Sequence, residues 1–329
     1  MQTLARILVA IRDPHRRSQR ALQKAAYLAT RFGARLELYH AISEPLYLAP
    51  LTDKPDALLG REGAIQERHL RQLERLAEPL RKQGISVACA ATWDFPAAHA
   101  IVRRAQQTRA NLIVADGHAS HAGRWILRFT DWELLRLSPK PVLFVKSPRS
   151  YGRSPNVLVA LDPGHAADKP ARLDKQILAT ATLLRARLGA QLHALHAYPV
   201  DAMGARPQDM AKEGFAARLL ARAHARASKA IDRELKAARL ADATRHLVAR
   251  HPANAVPETA AKVHADIVVM GAISRSGLRR VFFGNTAERV LDDLHCDVLV
   301  VKPAGFDRRV AHETRGPDLR PLPLRPWFV

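Results

Sequence analysis

Short continuous apolar runs recur along the chain, each closed by a turn and followed by a stretch with helical spacing. Ile7–Ile11, Leu36–Ala41, Leu112–Ala115 and Val142–Val145 are such runs in the first half. Val157–Leu161, Leu192–Ala197, Ile267–Met270 and Val298–Val301 repeat them in the second. Runs that do not alternate with polar residues predict strands covered on both faces, as in a parallel sheet. Ser86–Ala91 and a counterpart around Thr244–Ala249 predict one further strand in each half. Within 64–83, Leu70, Leu73, Ala77 and Leu80 keep helical spacing; within 216–239, Leu219, Leu220, Ala223, Ala227, Ile231 and Leu235 do the same. Gly33 and Gly189 follow predicted helices and read as left-handed caps. The alternation predicts a doubly wound α/β domain, twice. Ligands in such domains bind outside the carboxyl ends of the strands.

The two halves are copies of one pattern. ARILVAIRDP (5–14) matches PNVLVALDP (155–163), and RFGARLELYHAI (31–42) matches RLGAQLHALHAY (187–198). ANLIVADG (110–117) matches ADIVVMG (265–271), and PVLFVK (141–146) matches DVLVVK (297–302). Four matches in one order, at an offset near 150–156 residues, indicate duplication of a whole domain rather than a solenoid. The expected units are 1–148 and 155–303, joined by the Ser-, Pro- and Gly-bearing stretch 147–155. The 304–329 tail is proline-rich and is expected to be disordered; the alternative is a docking segment carrying Trp327 and Phe328.

Composition narrows the function classes. The 329 residues suffice for two cores, and no apolar run approaches the length needed to span a bilayer. The first residues, MQTLARILVAIRDP, are too short and interrupted for a secretory signal, so a cytoplasmic address is expected. Cys89 and Cys296 stand in no metal-type spacing and read as reduced thiols. The net charge of +21 raises contact with nucleic acid or anionic membrane, yet arginine is spread along the chain without interleaved aromatics. Nucleic-acid binding is therefore expected to be incidental and salt-sensitive. His193 and His196 lie three apart on a predicted strand and face opposite sides. His118 and His121 lack a third ligand type nearby, so no metal site is expected. Trp125 and Trp132 read as packing residues.

One loop carries candidate chemistry. Gly271 stands where the chain leaves the third strand of the second half, and Gly284-Asn285-Thr286 precede AERVLDDL, a predicted helix with Glu288 in its first turn. Asn285 or Thr286 suits its cap. A helix start presents free N–H groups and the positive end of the dipole to a phosphate, and glycine permits close approach. No Walker A or GxGxxG sequence occurs anywhere in the chain.

The residues GAISRSGLRRVFFGNTAERVLDDLHCDVLVVKP resemble the carboxy-terminal signature of the universal stress protein family, whose ATP-binding members carry G-x2-G-x9-G-[S/T] after a strand. Gly271 and Gly284 match the first and third glycines, and the spacer Arg275–Phe283 has the family length. Ser274 replaces the second glycine, and Asn285, followed by Thr286, replaces the Ser/Thr. The resemblance extends over nearly the whole of both halves. It implies the adenine nucleotide alpha hydrolase-like fold and an ATP site, with Mg, in the second half. By position it implies Asp162 near adenine or ribose and Ala197 at adenine. Met270, Gly271, Ser274, Gly284, Asn285 and Thr286 would then lie around ribose and triphosphate. The first-half matches are Asp13, Ala41, Gly117, Ser120 and Thr130. Thr130 replaces the third glycine and Asp131 follows it, so a carboxylate faces the phosphate subsite; the first half is expected not to bind ATP in this way.

The expected role is a regulatory stress protein binding an adenine nucleotide or another phosphate-bearing ligand. The alternatives are a slow ATPase or phosphotransferase, for which Asp162 is a base without a partnered nucleophile, and a nucleic-acid-associated factor. The family resemblance also implies that the two halves pair with each other through their last strands, as a pseudo-dimer within one chain.

Overall fold

The computed structural model describes residues 4–43, 45–48, 55–117, 129–163, 173–198, 214–271, 285–303, 306, 310, 313–314, 316 and 318–321. In chain order the elements are β1 (Arg6–Ala10), α1 (Arg20–Phe32), β2 (Arg35–Ile42), β3 (Pro45–Leu48), α2 (Pro55–Lys82), β4 (Val87–Trp93), α3 (Ala97–Gln107), β5 (Leu112–Asp116), α4 (Phe129–Leu137) and β6 (Val142–Val145). The second half continues with β7 (Asn156–Leu161), α5 (Leu173–Leu188), β8 (Gln191–Ala197), α6 (Phe215–Ala237), β9 (Thr244–Val248), α7 (Pro252–Lys262), β10 (Ile267–Gly271), α8 (Asn285–Asp293), β11 (Asp297–Val301) and β12 (Asp318–Pro321). None of the helices is long and apolar enough to cross a membrane, among the described residues.

The chain divides into two compact units, one built on 5–116 and 129–138 with tail residues from 308 onward, the other on 139–307. In the amino-terminal unit the strand order is β4-β2-β1-β5, all parallel. Leu8, Val9, Ile113 and Val114 are fully buried, as the unbroken apolar runs predict. Helix α1 packs on β1 and β5 through Ala21, Leu22, Ala25, Leu28 and Ala29, one face at helical spacing. Gly33 ends it at φ 65°, with its N–H returned to the carbonyl of Ala29; Gly189 adopts φ 64° after α5. Both caps are the left-handed ones the glycines predict.

The carboxy-terminal unit repeats the plan in the order β6-β11-β10-β7-β8-β9. The duplication extends to a side-chain detail at the sheet's amino edge. Asn111 Oδ1 accepts from the backbone N–H of Ala5 and Arg6, and its counterpart Asp266 accepts from Asn156 N at 2.9 Å. β6 is the last strand of the first half in sequence, yet it belongs to this unit. It pairs antiparallel with β11, with Phe144 opposite Val298 and Val142 opposite Val300. The expected pairing of last strands is thus present.

Asp297, at the start of β11 and fully buried, holds the chain that leaves β6. Its carboxylate accepts from the N–H of Lys146 at 2.9 Å, from that of Ser147 at 2.8 Å and from the Tyr151 hydroxyl at 2.6 Å. The stretch 147–155 therefore begins as a clasped segment rather than a free linker. The tail also departs from expectation. Asp318–Pro321 forms β12, parallel to β3 in the amino-terminal unit, where disorder is predicted from proline content; backbone pairing with an available edge overrides composition.

Lys146 is buried, its Nζ donating to the carbonyl of Leu291 near the end of α8 at 2.5 Å. Burial pushes its ammonium from the usual 10.5 down to about 8. Below pH 8 both folded and unfolded chains hold this proton and the burial cost is felt in full. Between about 8 and 10.5 the unfolded chain holds more protons, so stability rises with pH, by at most on the order of 3 kcal/mol. Urea denaturation at steps across this window is expected to show that rise in the wild type and to lose it in Lys146→Met. Parallel pH dependences in the two proteins would refute the assignment.

Candidate functional site

The strands β10, β7 and β8 are neighbours and finish on one edge of the carboxy-terminal sheet. Val159 stands opposite Val269, and Leu161 opposite His196. Asp162 leaves β7 half-buried beside the end of β8 at buried Ala197, while buried Met270 and half-buried Gly271 close β10 on the other side. Four residues singled out from the sequence are thus brought to one edge. The crossover from β10 to β11 runs through α8, which begins at Asn285 and carries Glu288 in its first turn. Asn285 and Thr286 open that helix, and their N–H groups are among those a helix start leaves without intrahelical partners. Ser274 and Gly284 lie outside the described residues, as do the side chains of Asn285 and Thr286.

Gly271 has a close neighbour of its own. A Cβ placed there would stand 2.5 Å from Cδ2 and 2.9 Å from Cγ of Leu173, the first residue of α5. The missing side chain therefore lets α5 lie against β10, a packing role that sequence spacing does not separate from a phosphate-binding one.

Equivalent histidines stand at the same edge in both units. His40 Nδ1 lies 2.8 Å from the carbonyl of Ile11, and His196 Nδ1 lies 3.3 Å from that of Leu161. A carbonyl only accepts, so each ring donates from Nδ1. The signal for this pair was visible in the repeated His-Ala of YHAI and LHAY. Next to Ala197, Tyr198 is buried and its hydroxyl lies 2.9 Å from His224 Nδ1 on α6.

The corresponding edge of the amino-terminal unit is charged and internally paired. Asp116 ends β5 where the register of the second half has Gly271. Its Oδ1 accepts from the N–H of Ala21 in the first turn of α1 at 3.1 Å, and Arg20 Nε stands 3.7 Å away. Burial raises the Asp116 pKa, opposed by Arg20 and the Ala21 amide. Asp131, buried in the first turn of α4, faces Arg12 at 3.8 Å, and Arg12 also donates to the Asp116 carbonyl at 3.0 Å. Asp13 sits exposed in a turn, its carboxylate accepting from the N–H of His15 and its carbonyl from Gln19 Nε2. Ala41 is buried at the end of β2; Gly117, which groups with the carboxy-terminal unit, is buried with its N–H on the Val145 carbonyl. Thr130 lies half-buried in α4 beside Asp131; Ser120 lies outside the described residues. Asp116 was missed from the sequence; only the strand register, which sets it at the place of Gly271, shows the exchange. Two carboxylates, each with an arginine, thus stand at the end of β5 and in the first turn of α4. Among the described residues no group of three or more His, Cys, Asp or Glu side chains is placed to hold a metal ion.

The repeated βαβ units define a tandem α/β fold with mostly parallel strands. The chain belongs to the universal stress protein family, whose model matches residues 3–146 and 154–302. It is 28% identical over 315 residues to universal stress protein E of Salmonella typhi, covering 92% of this chain and 96% of that protein. The identity is again 28%, over 312 residues, with universal stress protein E of Escherichia coli K12, at the same shares of the two chains. Among solved structures, a protein of unknown function from Pseudomonas aeruginosa PAO1 superposes with a TM-score of 0.69 at 27% identity, over 92% of this chain and 94% of that one. A universal stress protein from Archaeoglobus fulgidus shares the fold at a TM-score of 0.63 and 16% identity, over 92% of this chain and 99% of that one.

Because Leu173 fills the space beside Gly271, Gly271→Ala is expected to destabilise the protein by about 1–3 kcal/mol through overpacking. In a Leu173→Ala background the same change is expected to cost much less. Denaturant midpoints of the four proteins in this cycle measure the coupling, and additive effects would show that the two residues do not touch.

Proposed function

We propose that this protein is a regulatory stress-response component that binds an adenine nucleotide, or another ligand bearing phosphate, at the carboxyl edge of its second half. The observation that carries this reading is the difference between the two edges. In the first half Asp116 and Asp131 stand at the end of the third strand and in the first turn of the next helix, each beside an arginine. In the second half the matching positions hold Gly271 and, at the helix start, Asn285 and Thr286, which bring no carboxylate. A helix start without a buried carboxylate next to it is the more favourable place for a phosphate. The residues present suit the nucleotide: Asp162 and Ala197 stand on the side of base and ribose, and the amides opening α8 on the phosphate side.

Binding rather than turnover is the proposed activity. Asp162 and His196 are candidate bases at this edge, and no sequence motif supplies a nucleophile for either to activate. Bound Mg would supply charge compensation to the phosphates.

Titration calorimetry of the full chain with ATP and Mg is expected to give one site per chain. Gly284→Asp, which sets a carboxylate at the start of α8, is expected to abolish binding, while Asp131→Asn leaves the stoichiometry at one. Gly271 is a poor choice for this test because its substitution disturbs packing with Leu173. Absence of heat from the wild type removes the ATP reading, and native mass spectrometry of the purified protein then identifies any other phosphate-bearing ligand it retains.

A further inference from the structure

Helix α6 carries six cations, Arg218, Arg222, Arg226, Lys229, Arg233 and Lys236, and all six are exposed. At 3.6 residues per turn these positions fall within an arc of about 80° and form a straight row about 27 Å long. The opposite side of the helix holds Ala227, Ile231 and Leu235, which are buried against the unit. The row is therefore presented outward by packing. Among the described residues one ion pair touches it, Arg233 to the neighbouring Glu234 at 3.4 Å. The other acid of the helix, Asp232, is turned away and paired with Arg245 on β9.

A general preference for arginine does not explain the row, because the duplication supplies an internal comparison. Helix α2 occupies the same place in the first half, between the second strand of its unit and β4. It is just as rich in arginine, but its cations alternate with glutamates. Arg71 pairs with Glu67 at 2.6 Å, Arg81 with Glu74 at 2.5 Å and Lys82 with Glu78 at 2.8 Å. One copy neutralises its outer face and the other leaves it positive.

We infer that the outward face of α6 is a docking surface for nucleic acid, held through the phosphate backbone. A straight row of like charges complements a linear polyanion, and four of the six residues are arginines, whose planar fork suits phosphate oxygens. A membrane surface fits less well. Helices that lie in a bilayer interface bury their apolar side in lipid, and here that side is occupied by the protein's own core. The inference does not rest on the nucleotide reading and involves no residue of that site.

The test is fluorescence anisotropy of the full-length protein with labelled 20-base-pair DNA and RNA duplexes across a salt series. Anionic phosphatidylserine vesicles form a third arm. The triple substitution Arg222→Glu, Arg226→Glu, Lys229→Glu is compared with Arg68→Glu, Arg71→Glu, Arg75→Glu on α2, which changes net charge equally. The first is expected to weaken duplex binding at least about tenfold and to reduce the slope of log affinity against log salt by about 3, near 0.9 per phosphate contact. The second is expected to leave affinity within about twofold. Glutamine at the same α6 positions, with folding checked by circular dichroism, gives the same direction if the glutamates impair folding. Equal losses from both helices would assign binding to net charge. Tighter binding to vesicles than to either duplex, or loss of wild-type duplex binding by about 150 mM salt, would also overturn the inference.

Discussion

The ladders of β1 and β7 lie in layers from which water is excluded, and a parallel strand in that position must be covered on both faces and joined to its neighbours by crossover helices. From this constraint comes the rest of each unit. The crossovers place loops and helix starts at the carboxyl edge, so Asp162, Ala197, Met270 and Gly271 reach the same rim although they are spread over more than a hundred residues of sequence. Helix α5 lies so close to β10 that position 271 accepts no side chain without displacing Leu173. The buried histidines His40 and His196 act within the same frame, each tying the second strand of its unit to a carbonyl at the end of the first.

Duplication gave the chain two such rims, and divergence has given them different chemistry. The first rim holds carboxylates and guanidiniums in mutual contact, with Asp116 also capping α1. Asp131 is buried while its partner Arg12 is exposed, and Arg20 and Asp116 are both half-buried. The second rim has no carboxylate at the matching positions. The same divergence appears on the helices that precede β4 and β9: α2 pairs its cations with glutamates, and α6 leaves them facing solvent. Between the halves, one carboxylate organises the chain. Asp297 receives two backbone amides and the Tyr151 hydroxyl, and this clasp keeps β6 beside β11.

The amino-acid sequence alone determined the strands other than β3 and β12, their burial on both faces, the left-handed caps at Gly33 and Gly189, the duplication and the family. These follow from periodicity and local backbone chemistry, which operate over a few residues and are written in order along the chain. It also marked Asp131 as a charge beside a predicted helix start, which needs no further context to read. Tertiary structure alone decided what depends on distant residues meeting. Asp116 opposes the start of α1, Leu173 claims the space at Gly271, Asp297 grips residues 146 to 151, and β12 joins β3 despite its proline. Such contacts are set by how helices and strands pack across intervals of about 95 to 275 residues, and no local pattern encodes which partner a buried carboxylate or an open strand edge will find.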